Sequence, residues 1–365
     1  MEILRFSMND PAMYGLPQVQ LPADIWRNGL VVRMPNHLGD AVMALPALLA
    51  LSRIVPEHCG LFVVAPEMFR PFYAALPQVS FFAGLQKAHA NWSLKEIRAL
   101  KRLRAGVGVF FNNSPRDVIA MRLAGVPKLF GAAARGRSLL LTKGFKLRRQ
   151  QIPGVRAEEH LCSRYLAIAM ALGAPGWDGS PIGFSFSRSV EENKEELSAW
   201  CEHPKMLLLG PGADYGDAKC YDSFNYNQLA RWWIENGGVV VVAGGKSEVG
   251  TGDEVCAGLP REKCVNMCGK TDLQELMLLI RFSRFMICND SGIMHLGAAL
   301  GKPGIAVFGS TDPTATGPIS DQWQCISDRM SCSPCFKHVC PLGHKECMKK
   351  VGVEVIIEEL KKRII

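Results

Sequence analysis

Four stretches of this 365-residue chain place glycines and polar residues directly after apolar, strand-like runs. The first is "RMPNHLGDAVMALP", where Gly39 and Asp40 stand at the expected start of a helix. A carboxylate there is favoured by the helix dipole alone. It is equally placed to accept a proton from a substrate hydroxyl. The second is "GPGADYGDAKCYD", in which Gly210 and Gly212 allow close backbone approach and Lys219 adds a point charge. Backbone N–H groups and one ammonium would make a phosphate cradle, and a plain turn with a surface lysine fits the same residues. The third, "AGGKSEVG", offers Gly245 and Glu248, with Lys246 and Ser247, as contacts to a nucleoside.

The fourth stretch is "NDSGIMHLGAALG". Asp290 or Ser291 can cap its helix through a side-chain oxygen, while Gly292 leaves room for a phosphate at the free N–H groups. An acid beside a phosphate is repulsive, so Asp290 is expected to orient the loop or to accept a sugar hydroxyl. His295 follows Ser291 by four residues and so shares its helical face. A buried structural histidine is the competing reading.

Missing motifs narrow the chemistry. "PNHLGD" lacks G-x-G-x-x-G, which disfavours a nicotinamide-dependent oxidoreductase. The Gly-Pro loop lacks the G-K-[ST] ending of a nucleotide-hydrolysing P-loop, and no D-x-D occurs. A diphosphate is therefore expected to be neutralised by helix N–H groups and Lys219, without a carboxylate-held Mg²⁺.

These loops need a scaffold, and the hydrophobic pattern supplies one. Apolar runs such as "GLVVRM", "GLFVVAP", "GVGVFFNN", "KMLLLG", "GVVVVAGG", "FMIC" and "GIAVFG" alternate with helical spacings. Repeated β-α-β predicts parallel sheets covered by helices on both faces. Two rounds are visible, separated by the Gly- and Pro-rich segment 173–183, so two doubly wound α/β domains are expected. In such sheets ligands bind at the carboxyl ends of the strands, where all four stretches fall. "AVMALPALLALSRIV" reads as one helix, residues 1–28 as irregular, and "EVIIEELKKRII" as a closing helix.

Hydrophobic content of 48% and charged content of 21% describe a globular chain. No apolar run approaches the roughly 20 residues that cross a bilayer. The first residues do not read as a signal peptide, and a cytosolic location is expected. Net charge is +8, and residues 118–157 hold nine Lys/Arg with no acid. That stretch suits an anionic partner or a solvated loop, and its few aromatic residues speak against a nucleic-acid platform. Cys332, Cys335, Cys340 and Cys347 form C-x2-C-x4-C-x6-C, with His338 and His344 interleaved. Reduced thiols are the expectation and no metal is assigned, although the spacing alone also allows Zn²⁺, an iron–sulfur cluster or redox pairing.

Five pieces in order, "RMPNHLGDAVMALPAL", "GPGADYGDAK", "CGKTDLQEL", "NDSGIMHLGAALGKPGIAVFGSTDPTATGP" and "CSPCFKHVCPLGHKECM", span roughly residues 29–360. Together they resemble glycosyltransferase family 9, the ADP-heptose:lipopolysaccharide heptosyltransferases, most closely their type II branch. The resemblance implies a GT-B fold, two Rossmann-like domains facing across a cleft. It implies an extension over 1–28, an acceptor-binding domain over 29–175 and a donor-binding domain over 180–350. A last helix over 351–365 would cross back towards the first domain.

The implied reaction is an inverting, metal-independent and cofactor-free transfer of heptose from ADP-heptose to the lipopolysaccharide inner core. Asp40 would be the base and Lys219 would hold the diphosphate. Asp290, Ser291, Gly292 and His295 would complete the donor site, joined by Gly39, Gly212, Gly245 and Glu248. Arg122, Arg135 and Arg137 would meet a phosphorylated acceptor at the inner face of the inner membrane, with no nucleic acid involved. Two alternatives stand beside this, another nucleotide sugar as donor or a non-catalytic nucleotide-sugar-binding protein. This chain departs from the family pattern at Asn36-His37 and at Cys220-Tyr221-Asp222.

Overall fold

The structure is a computed structural model that describes residues 2–4, 10–147, 159–186, 195–213 and 216–364. Arg148, Arg149 and Arg156 of the basic stretch lie outside the described residues. The chain enters with β1 (Glu2–Leu4), a strand where the sequence read as irregular. Three residues are too few to show a period, and its partner is distant in sequence.

The described residues fall into two units, one holding residues 10–147 and 159–185, the other β1 and the chain from residue 186 onward. The first unit contains β2 (Gly29–Arg33), β3 (Gly60–Pro66), β4 (Phe81–Leu85), β5 (Val107–Phe110), β6 (Lys128–Ala132) and β7 (Lys143–Phe145). Their spatial order is β4-β3-β2-β5-β6-β7, with every neighbouring pair parallel. The central strand β2 is buried at all five positions, as expected for a strand covered on both faces. Val31, Val64, Phe110, Met121 and Leu129 belong to the core between sheet and helices.

The single helix read after β2 is two helices, Leu38–Met43 and Leu45–Ser52. Pro46 lies in the first turn of the second, where its missing N–H costs nothing, and the break falls just before it.

The other unit contains β8 (Met206–Gly210), β9 (Val239–Val242), β10 (Cys264–Asn266), β11 (Phe285–Asn289), β12 (Gly304–Phe308) and β13 (Trp323–Ser327). The order is β1-β13-β12-β11-β8-β9-β10, parallel except for β1, which runs antiparallel along the edge of β13. Leu209, Val240, Val242, Ile287, Ile305 and Val307 build its core. The closing helix, Val353–Ile364, contributes Val353, Ile356 and Leu360 to that same core. This i, i+3, i+7 spacing is one helical face.

Both sheets share one topology. In each, the first of the parallel strands lies centrally, the next two run outward on one side and the following strands on the other. The order therefore reverses between β2 and β5 in the first unit and between β8 and β11 in the second. A crevice opens at the carboxyl ends of strands at such a switch point, where ligands settle. The loops leaving these four strands carry Asp40, Asp117, Lys219 and Asp290.

Candidate functional site

In the second unit, β11 ends at Asn289 and the helix Gly292–Ala299 follows at once. Asn289 is fully buried and fixes the neighbouring loop. Its Oδ1 accepts from the Tyr221 backbone N–H at 3.1 Å and from the Tyr226 hydroxyl at 2.9 Å. Its Nδ2 donates to the Pro211 carbonyl. One side chain thus ties together the loops that leave β8 and β11.

Asp290 comes next, 4% exposed. Its Oδ2 accepts from Lys219 Nζ at 2.6 Å, from Thr311 Oγ1 at 2.6 Å and from Thr316 Oγ1 at 3.3 Å. Its Oδ1 stands 4.0 Å from Nε2 of the buried His295. The expected repulsion between Asp290 and an incoming phosphate is thereby removed, because its charge is matched by Lys219. The carboxylate orients the ammonium.

The expected side-chain cap is not formed. Ser291 occupies the N-cap position, yet no side chain caps the helix. The Ser291 Oγ is buried and has no hydrogen-bond partner. Other helices are capped in the ordinary way, Ser93, Ser114, Asp222 and Asp272 each accepting from a first-turn N–H, while Leu38–Met43 and Val249–Cys256 share the uncapped state. Uncapped N–H groups beside an ammonium at a strand's carboxyl end form an anion-binding arrangement.

The loops after β8 and β9 meet through Glu248. Its Oε2 accepts the Gly245 N–H at 2.5 Å. A Cβ on Gly212 would stand 1.6 Å from Oε1, and one on Gly244 would stand 2.4 Å from Oε2. A side chain at either position would displace the carboxylate that lies against it. Lys219 closes the short 3-10 turn Asp217–Lys219, and the Ala218 N–H donates to the His338 carbonyl at 3.2 Å. Lys345 pairs with Asp217 at 2.7 Å. The segment that carries the cysteine cluster thus buttresses the Lys219 turn.

Cys332, Cys335, Cys340 and Cys347 line one narrow cavity with His344 and Lys345. Among the described residues no three His, Cys, Asp or Glu side chains are arranged to hold a metal ion. Cys340 has its thiol pKa lowered by the backbone N–H of Lys345, against a slight effect of burial and with help from the N–H groups of Leu342, Gly343 and His344.

In the first unit, Gly39 and Asp40 lie in the first turn of Leu38–Met43, and Asp40 is half-buried. Burial, and next the nearby charge of Asp40, push the Tyr165 hydroxyl far above its ordinary pKa. The loop before Asp40 is held by a buried ion pair that the sequence reading missed. Arg33, the last residue of β2, is fully buried, and its Nε donates to Asp117 Oδ2 at 2.7 Å. The same guanidinium donates to the Met34 carbonyl at 2.5 Å and to Asn36 Oδ1 at 2.6 Å. Asp117 also accepts from Trp92 Nε1 at 3.0 Å and from Asn112 Nδ2. An arginine ending an otherwise apolar strand was the available signal.

The three arginines assigned to an acceptor differ in what they can do. The Arg122 guanidinium donates to the carbonyls of Leu140 and Pro127. Arg137 is fully buried, donates to the Ala132 carbonyl at 3.0 Å and lies over the Phe110 ring. Both are engaged inside the unit. Arg135 is exposed, at φ 49°.

The pattern of glycosyltransferase family 9 (heptosyltransferase) matches residues 95–346, more than half of the chain. The chain belongs to this family. It is therefore a glycosyltransferase. Over 303 residues it is 28% identical to lipooligosaccharide heptosyltransferase 2 of Haemophilus influenzae, covering 79% of this chain and 85% of that protein. Over 343 residues it is 26% identical to lipopolysaccharide heptosyltransferase 2 of Escherichia coli, covering 91% and 97%. The solved structure of E. coli ADP-heptose lps heptosyltransferase II superposes with a TM-score of 0.74 at 24% identity, covering 91% of this chain and 97% of that one. The two-domain glycosyltransferase architecture read from the sequence is borne out. For this glycosyltransferase the anion-binding arrangement at Ser291 lies at the switch point of one unit, and Asp40 at that of the other.

Proposed function

We propose that this glycosyltransferase moves a heptose from ADP-heptose to a hydroxyl of the lipopolysaccharide inner core, with inversion and without a metal. The observation that carries the reading is the ion pair of Lys219 and Asp290 beside the uncapped N-terminus of Gly292–Ala299. The leaving group of a nucleotide sugar is a diphosphate, and its charge develops as the glycosidic bond breaks. Fixed N–H dipoles and an ammonium stabilise that charge without reorganisation. Glu248 accepts the Gly245 N–H and lies against Gly212, which sets a carboxylate at the loop where ribose hydroxyls could donate to it. His295, Gly39 and Ser291 complete the proposed donor contacts.

Asp40 is the proposed base. It takes the proton of the acceptor hydroxyl as that oxygen bonds to the anomeric carbon. The bond from this carbon to the diphosphate oxygen breaks in the same displacement, and ADP departs. Attack opposite the leaving group inverts the anomeric centre. The Arg33–Asp117 pair fixes the loop that leads into the helix carrying Asp40, so the base is positioned before substrate arrives.

Among the described residues no helix is long and apolar enough to cross a membrane. We place the enzyme in the cytoplasm, in peripheral contact with the inner membrane, with Arg135 towards the acceptor. The names of the two relatives support the heptose and the lipid-linked acceptor. The test is ADP release from ADP-heptose with heptose-deficient lipopolysaccharide, repeated with other nucleotide sugars. A faster reaction with another sugar nucleotide would replace the donor, and absence of any transfer would leave a binding protein.

A further inference from the structure

An open cleft of about 820 Å³ in the first unit is lined by Arg27, Asn28, Arg98, Lys101, Arg102 and Arg104, with Ala124 and Gly125. Five of its eight lining residues are cations and none is an acid. All five are exposed, and none makes an ion pair among the described residues. Arg27 and Asn28 precede β2, Arg104 precedes β5 and Gly125 precedes β6, so the cleft lies at the amino ends of the strands. Asp40 is at the opposite end of the same sheet. Its five cations lie outside the basic stretch at 118–157, although Ala124 and Gly125 belong to that stretch.

Helix termini explain only part of the cluster. Lys101 and Arg102 close the helix Leu94–Arg102, where the dipole favours cations. Arg27 and Arg104 lie outside helices, in left-handed backbone at φ 52° and 50°, a conformation easier for glycine. Beside the cleft, the helix Pro115–Leu123 turns Ile119 and Leu123 outward, 47% and 62% exposed and one turn apart. Cations gathered beside an exposed aliphatic pair match a bilayer surface, where phosphates meet the charges and aliphatic side chains enter the headgroup layer.

We propose that this cleft and the adjoining end of Pro115–Leu123 dock on anionic phospholipid headgroups. The inference deepens the peripheral-membrane part of the proposed function and leaves the chemistry at Asp40 untouched. Attraction between exposed charges and an anionic surface is screened by salt, so docking is released as ionic strength rises.

The test is co-sedimentation of the full chain with vesicles of phosphatidylcholine alone or with phosphatidylglycerol added. Binding to the anionic vesicles only is expected, lost on adding salt. Arg98→Glu/Lys101→Glu/Arg102→Glu should lower partitioning roughly tenfold or more, and Leu123→Ser should lower it by a smaller factor. Heptose transfer to a delipidated, water-soluble acceptor should be unchanged in both variants. Equal binding to neutral vesicles, or a triple variant that sediments like the wild type, overturns the proposal. So does displacement by millimolar inorganic phosphate without dependence on vesicle charge, which marks a free-anion pocket. Loss of oligonucleotide binding in the triple variant with vesicle binding intact also overturns it, in favour of nucleic acid. Wild-type protein that binds vesicles yet transfers nothing to the soluble acceptor removes the proposed reaction and leaves this surface standing.

Discussion

Lys219 and Asp290, 71 residues apart in the chain, meet at 2.6 Å with side chains only 11% and 4% exposed. Thr311 donates to the same carboxylate oxygen. Cutting one member of a buried pair strands the other charge, at a cost of roughly 3–5 kcal/mol. Lys219→Ala is expected to lower kcat/KM by about a hundredfold or more through loss of diphosphate stabilisation. Thr311→Val removes one bond to a charged group, on the order of 1.5–3 kcal/mol, and should raise the donor KM about tenfold. Thr311→Ser should restore it. Steady-state kinetics with varied donor checks all three.

Gly212→Ala tests the approach of Glu248. The added methyl would overlap Oε1, at 1.6 Å from the Cβ position, so the carboxylate must swing away. ADP affinity measured by calorimetry is expected to fall, while melting changes little because Glu248 is at the loop surface. Unchanged ADP affinity would separate Glu248 from the nucleotide.

The Arg33–Asp117 pair makes a prediction about position. Arg33→Met leaves Asp117 buried without its cation and should cost roughly 3–5 kcal/mol, a melting point lower by ~10 °C. Asn36→Ala keeps the pair and loosens only the loop before Asp40. It should lower kcat several-fold with donor affinity intact. A change in donor KM alone would contradict that assignment.

Much of this was legible beforehand because it rests on local pattern. Val- and Leu-rich runs ending in glycine or asparagine locate the parallel strands, and the rule that ligands bind at the carboxyl ends of strands points to Asp40, Lys219 and Asp290. Partnerships across the sheet were not legible. Nothing adjacent to Asp290 shows that Lys219 and Thr311 will converge on it. Nothing near Arg122 reveals that the carbonyls of Leu140 and Pro127 will occupy its guanidinium. The break at Ala44 is signalled by Pro46 alone, against surrounding residues that are strong helix formers. Strand β1 was hidden by its length.

Cys340 gives a pH-dependent outcome. The N–H groups that lower its thiol pKa, that of Lys345 foremost, hold the thiolate. A lowered pKa enlarges the thiolate fraction at any pH below the ordinary range near 8.5. Its alkylation by iodoacetamide should therefore persist to lower pH than that of an ordinary thiol. Cys268, buried and pushed up to about 12, should stay unreacted at neutral pH in the folded protein. Peptide mass spectrometry after timed alkylation reads both.

The proposed reaction requires Asp40 to carry the proton in a transfer whose leaving group is held at Lys219 and the Gly292 helix terminus. The direct measurement pairs ADP binding with heptose transfer for Asp40→Asn, an isosteric change that removes the base and keeps the loop. Transfer is expected to fall by about a thousandfold, with ADP affinity within a factor of about two of wild type. Transfer at the wild-type rate by Asp40→Asn would contradict the proposed reaction.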